Sequence, residues 1–406
     1  MSTTTDPGTE GGFRLSQLIY DTRYRSTTFQ VIAVAVLAYC LYQLYGNARQ
    51  NFADADLNIS WLFLWEPAGY DINQRPIEYN SQSTHLRASI VGAINTIIVA
   101  VLACISATVI GVFAGVARLS NNWIVSKMMS AYVEAFRNVP VLIWILIIFL
   151  AMSNAFPQPR AFRGETPDAE MLWGMFAFTN RGVYVPSFVN DGAMATIFWL
   201  VILASIVGVF AYRRYAKKLL YDTGRLLPTG WPSLAILIVP GLLAYFILGQ
   251  PVGLENPELK GFNFQGGVHL RLSLIALWFA LAIYTGAFIA ENVRAGIQAI
   301  SKGQTEAAAS LGLRPGRIMN LVVLPQALRV IIPPLISQYL NITKNSSLAI
   351  AVGYMDITGT LGGITLNQTG RAIECVLLLM LFYLCVSLLI SFFMNIYNNA
   401  MKLKER

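Results

Sequence analysis

Residues 272–295 read LSLIALWFALAIYTGAFIAENVRA. The first nineteen carry no charge. A helix rises about 1.5 Å per residue, so they cover about 28 Å, close to the hydrocarbon thickness of a bilayer. Lipid offers no partner for free backbone N–H and C=O groups, so such a stretch must be helical. Glu291 and Arg294 then end the apolar run, three residues apart.

Seven more stretches of this kind lie on either side, near 28–45, 88–117, 127–152, 194–212, 232–249, 325–345 and 373–399. The pattern predicts an all-α, polytopic membrane protein of about eight transmembrane helices. Composition agrees: 55% of the 406 residues are hydrophobic and 12% charged, whereas soluble domains carry about 25% charged residues. The net charge of +8 would raise nucleic acid as a partner in a soluble protein. Here it reads as basic residues held on one side of a membrane, with no nucleic acid partner. Cys40, Cys104, Cys375 and Cys385 sit in apolar runs, and the histidines are His85 and His269 alone. Neither a disulfide framework nor a metal site is expected.

Orientation follows from charge. With the N-terminus inside, the inner segments hold Arg14, Arg23 and Arg25; Arg118 and Lys127; Arg213, Arg214, Lys217, Lys218 and Arg225; Arg294, Lys302, Arg314, Arg317 and Arg329; and Lys402, Lys404 and Arg406. Eight spans then leave both termini cytoplasmic. No cleaved signal peptide is expected, since the first 27 residues are polar and mixed in charge. The outer loops 46–87, 153–193 and 250–271 contain Trp61, Trp65 and Tyr70 and several prolines. They read as ordered loops or interfacial helices whose aromatics anchor position.

Between the sixth and seventh spans, residues 301–325 read SKGQTEAAASLGLRPGRIMNLVVLP. Thr305–Leu311 is rich in helix formers. Gly312 suits a left-handed helix end, and Pro315 the first turn of another helix. A short helix projecting there can dock in a partner's groove. Glu306, Ala307, Ala308, Gly312, Ile318, Leu324 and Pro325 together resemble the coupling loop of ABC importer permeases. The resemblance implies that this loop inserts into an ATPase subunit. Glu306 would be its polar contact, Ala307 and Ala308 would allow close approach, and Gly312 would make the bend.

Gly92 with Asn95-Thr96, the run EAFRNVP at 134–140, AENVR at 290–294 and LNITKNSSL at 340–348 resemble the polar amino acid subfamily of these permeases. The longer layout, with LFLWEPAGYDI at 62–72, is similar to the larger permeases of the general L-amino acid importers and their glutamate/glutamine/aspartate/asparagine relatives. The resemblance implies a five-helix type I core at 88–152 and 272–399. An extra span and loop at 28–87, an insertion at 153–271 and short tails at 1–27 and 400–406 are added to it. It further implies a second homologous permease chain, two ATP-binding-cassette subunits, a periplasmic amino-acid-binding protein and a place in the bacterial inner membrane. The chain has no G-x-x-x-x-G-K-[ST] motif. It is therefore read as a transport subunit rather than an enzyme, with no cofactor of its own and ATP and Mg on the partner subunits.

Charge within a span is costly and usually faces a cavity or a partner. Glu134 and Arg137 can pair at i, i+3, as can Glu291 and Arg294, beside Asn292. Gln338, Asn341, Lys344, Asn345 and Ser346 make a polar stripe. An amino acid zwitterion needs donors for its carboxylate, which Lys344, Asn345 and Asn341 offer. It needs acceptors for its ammonium, which Glu291 or Glu134 offer. Equally, Glu134 can neutralise Arg137, while Arg137 and Arg294 reach headgroups or brace the loop. An ion-coupled secondary transporter is the alternative function. Such folds often show internal repeats, and none is visible here.

Overall fold

The computed structural model describes residues 22–54, 59–164, 167–190 and 192–401. Most of the expected N-terminal tail, with Arg14, lies outside them, as do Lys402, Lys404 and Arg406. Two compact units divide at Trp61–Leu62. The first contains one helix, α1 (Thr22–Asp54). It extends beyond the expected 28–45 at both ends, and its apolar side chains from Phe29 to Tyr45 are exposed.

The second unit is built around two parallel helices, α2 (His85–Ala117) and α7 (Leu272–Gln298). The Trp278 indole donates to Ser106 Oγ at 3.1 Å. Further along, Gly111 lies against Gly286 and Ile289, and Gly115 against Ala290 and Val293. A Cβ on Gly111 would come within 2.5 Å of the Ile289 side chain, so glycine sets how closely the two helices approach. α7 is buried around most of its girth. On it pack α3 (Trp123–Arg137) through Val133, α4 (Val141–Ala155) through Ile145, and α9 (Leu324–Asn345) through Ala327 and Ile331. Helix α10 (Ala372–Met401) packs through Cys375 beside Ile357 and Leu361.

The expected span at 127–152 is two helices, α3 and α4, parted at Asn138-Val139-Pro140. Proline has no N–H and pushes the preceding residue toward extended backbone, so the helix stops there. Phe136 stacks on Trp144 across the break, centroids 4.1 Å apart. The seventh span begins earlier than expected. A turn at Pro315–Ile318 runs through a wide π-helical stretch, Met319–Val323, into α9. The wide turn coincides with Pro325, which cannot donate to the helix ladder.

Residues 346–371, between the expected seventh and eighth spans, form an irregular helical segment packed on α2. A 3₁₀ stretch (Ser346–Val352) reverses at left-handed Gly353, and a π-helix (Thr358–Thr365) follows. The segment climbs α2 on hydrogen bonds. The Asn95 amide donates to Met355 O and Gln74 O, both at 2.9 Å, and Ile357 N donates to Thr96 Oγ1 at 3.1 Å. At the top, Thr365 Oγ1 meets Tyr70 OH and His85 Nδ1. Gly92 sits where the segment crosses: a Cβ there would lie 2.1 Å from Thr360 Oγ1 and 2.8 Å from Asp356 O. Gly92→Val is therefore expected to cost about 3 kcal/mol or more. A lowered unfolding midpoint of the solubilised protein checks this, with Gly46→Val, whose added Cβ meets nothing within 4 Å, as the unaffected control.

The insertion holds a helical hairpin, α5 (Gly192–Thr223) and α6 (Gly230–Ile247). The all-α reading holds for the spans, but seven short strands lie at the hairpin's base among the described residues. They are β1 (Ala177–Thr179), β2 (Gly182–Val185), β3 (Ser187–Asn190), β4 (Val252–Glu255), β5 (Glu258–Lys260), β6 (Asn263–Gln265) and β7 (Val268–Arg271). They pair antiparallel as β1-β2-β7, β3-β4 and β5-β6. Ala177, Tyr184 and Phe264 form their small core, and His269 stacks on Tyr184 at 4.1 Å. Burial holds the His269 imidazole below its ordinary pKa, so the ring is neutral around pH 7.

Candidate functional site

The far end of α7 from the strands carries the loop that the sequence singled out. Helix α8 (Lys302–Ser310) follows a short turn. Gly312 takes φ +76°, the left-handed conformation that ends a helix. Ala308, Ile318 and Val323 form a small core with Ile297, Ile300, Leu313 and Val322. The loop is thus pinned to the end of α7 by its own apolar contacts. Glu306 and Ala307 face outward, and Leu311 stands 80% exposed at the tip. Ala308 corrects the sequence reading: it is buried and packs inward, so Ala307 alone of the pair is open to a partner's approach. Leu324 is exposed and Pro325 half-buried at the start of α9.

Just inside this end, Glu291 joins three helices. It pairs with Arg118 at the end of α2, with Arg294 on α7 at 2.6 Å, and with Arg137 at the end of α3 at 3.8 Å. Arg118 also donates to Ser130 Oγ, and Arg294 to Gln298 Oε1 at 2.7 Å. The Arg137 guanidinium lies over the Phe288 ring, 5.3 Å from its centroid. The local pair Glu134–Arg137 does not form; Glu134 is exposed and Arg137 turns to Glu291 instead. With three guanidiniums around it, the Glu291 carboxylate is already saturated with positive charge in this conformation. Asn292 is half-buried, and its Nδ2 is unpartnered.

Helix α9 shows two different faces. On one, Val330, Pro333, Pro334, Ser337, Asn341 and Lys344 are exposed, with Gln338 and Asn345 half-buried beside them. Ser346 is buried and donates to Thr343 O at 2.7 Å. On the other, Tyr339 and Thr343 line an apolar cleft of about 650 Å³ shared with α2 and α10. The Tyr339 and Thr108 hydroxyls meet there at 2.7 Å. Thr108 lies 23 residues past His85 along α2, so Lys344, less than two turns beyond Tyr339, sits well within the membrane thickness. A bare polar face at that depth needs water or a polar partner. Lys344 also ends the helix, where backbone carbonyls favour a cation.

Sequence reasoning missed Tyr354 and Asp356. Tyr354 OH donates to Asn95 O at 3.1 Å. Asp356 is fully buried; its Oδ1 accepts from Gly359 N at 2.8 Å and its Oδ2 has no partner. The available signal was a single carboxylate in an otherwise uncharged stretch, 345–370.

Residues 107–403 match the family described as binding-protein-dependent transport system inner membrane component. The chain is 49% identical to the glutamate/glutamine/aspartate/asparagine transport system permease protein BztB of Rhodobacter capsulatus, across the full length of both. It is 40% identical to the general L-amino acid transport system permease protein AapQ of Rhizobium johnstonii, over 100% of this chain and 99% of that one. A putative amino-acid ABC transporter permease of Escherichia coli, YhdX, is 43% identical over 94% and 95% of the two chains.

Proposed function

The chain belongs to the inner membrane components of binding-protein-dependent transport systems, and from that membership we propose that it passes L-amino acids into the cytoplasm as one permease of a pair. It is a permease subunit of an ABC importer, and membership in this family supports ATP-driven over ion-coupled transport. The names of its relatives support amino acids as cargo, acidic ones and their amides among them. The observation that carries the path is the uncovered polar face of α9. A second, homologous permease laid against that face would enclose a hydrophilic route between the two chains. Lys344 would hold the substrate carboxylate, with Asn341, Asn345 and Gln338 completing its hydrogen bonds.

The basic residues at the loop end support a cytoplasmic placement of that end and of both termini. The outward Glu306, Ala307 and Leu311 would then seat in one of two ATPase subunits, which bind ATP and Mg. The strands would face a periplasmic amino-acid-binding protein. Because α8 is pinned to α7, closure of the ATPases would pull on α7 and on the charge cluster at Glu291. This chain gates the path and hydrolyses nothing itself.

The test is purification of the tagged chain in mild detergent, identification of its companions, and uptake in proteoliposomes. A P-loop ATPase and a second permease are expected to co-purify, with glutamate uptake that requires internal ATP and no ion gradient. Recovery of the chain alone, with uptake driven by an ion gradient, would overturn the reading. Lys344→Gln is expected to lower uptake about ten-fold or more, the worth of one hydrogen bond to a charged group, with assembly intact. Undiminished uptake would remove Lys344 from the path.

A further inference from the structure

The hairpin α5–α6 ends away from the strands in a one-sided basic surface. From Gly192 to Tyr212 α5 carries no charge. These residues span about 31 Å, which matches the hydrocarbon core. Arg213, Arg214, Lys217 and Lys218 follow at once, and α5 stays helical to Thr223. At about 100° per residue the four cations occupy an arc of about 140°, with Tyr221 in its middle. All four cations are exposed, as is Tyr221 at 76%. Asp222 is the one carboxylate between 213 and 225.

The arc points away from the hairpin's own contact. Gly208 meets Ile236, Ile202 meets Gly241, and Tyr212 OH donates to Pro228 O at 2.8 Å. Ala216, on that side, is buried. Arg213 touches both sides, since its Nε also reaches Ser233 Oγ at 3.3 Å.

We propose that Arg213, Arg214, Lys217 and Lys218 form a binding site for anionic phospholipid headgroups. Orientation in the membrane depends on how many basic residues a loop carries and does not require them on one face. One-sidedness is what a ligand demands. Height favours lipid over a soluble partner. Residues 213–218 rise about 7.5 Å, and the headgroup layer on each side of the core is about 5–8 Å thick. The cations therefore lie level with lipid phosphates. The site is independent of what the chain transports.

The experiment uses the purified complex in uncharged detergent, titrated separately with phosphatidylglycerol, phosphatidylcholine and inorganic phosphate and read by native mass spectrometry. Phosphatidylglycerol is expected to bind at least about ten-fold more tightly than phosphatidylcholine, with the preference shrinking as salt rises. Arg214→Gln/Lys217→Gln/Lys218→Gln should weaken phosphatidylglycerol on the order of 100-fold, about five-fold per charge. The single change Lys218→Gln should weaken it about five-fold and serves if the triple variant accumulates poorly. Lys127→Gln, on α3, should bind as wild type. Equal binding of the two lipids, or unchanged binding by the variants, would overturn the proposal. So would displacement of the lipid by phosphate alone, which would make the face a free-anion site. Retention of lipid with loss of the ATPase subunit in the triple variant would assign the face to protein docking instead.

Discussion

Glu291→Ala is expected to lower the unfolding midpoint of the purified complex and to reduce its yield. The carboxylate is 24% exposed and faces Arg118, whose side chain is 10% exposed, along with Arg294 and Arg137. Its removal leaves three guanidiniums converging on one another with no counter-charge, at the point where α2, α3 and α7 meet. Removing one partner of a fully buried pair costs about 3–5 kcal/mol. Partial exposure here reduces that to about 2–4 kcal/mol. Arg118→Met combined with Glu291→Met should recover part of the loss, because the more buried cation leaves together with its anion. A single variant as stable as wild type, or a double variant no better than the single, would show that the cluster does not hold these helix ends together.

Glu306→Arg is expected to leave the permease folded and inserted while abolishing transport. Glu306 is exposed on α8 and the core beneath it does not include it, so reversal of its charge leaves the loop's own packing intact. Against a partner shaped for a carboxylate, the reversal should cost about 2–5 kcal/mol of association, a loss of affinity of 30-fold or more. Co-purification of the ATPase subunit reads this directly, and ATP-dependent uptake should fall with it. A variant that keeps its ATPase and its uptake would place the contact elsewhere on the loop. Leu311, the exposed apolar tip, would then be the next residue to change.

Much of the architecture was legible because the bilayer imposes a length. Apolar runs of about 20 residues can do little else than cross it as helices, and the spans appear close to where those runs stand. The break at Pro140 was visible as a proline but was outweighed by the continuous apolarity of 127–152. The irregular segment 346–371 was not legible at all. Its TGTLGGIT run, 358–365, has no helical period, and its turns are set by contact with Gly92, Asn95 and Thr96 on α2, some 260 residues away in the chain.

The site shows the same division. The outward Glu306 and the polar stripe of α9 follow from local spacing. Arg137 does not, since an i, i+3 neighbour was displaced by a carboxylate from another helix. Nor does the inward turn of Ala308. The phase of a nine-residue helix is fixed by what lies beneath it, here Ile300 and Ile318, and not by its own sequence.

The pairing of β2 with β7 has a consequence for how the chain is made. Gly182 lies opposite Arg271 and Val185 opposite Val268, so the polypeptide leaves and rejoins the core through one clasp. About 80 residues hang from it as a nested passenger. At about 5–20 residues per second, synthesis of the chain between Ala155 and Leu272 separates α4 from α7 by roughly 6–23 s. Throughout that interval the glycine faces of α2 stand without the helix they are shaped for. Lengthening or trimming the passenger changes this waiting time and leaves the clasp, and therefore the finished core, as it was.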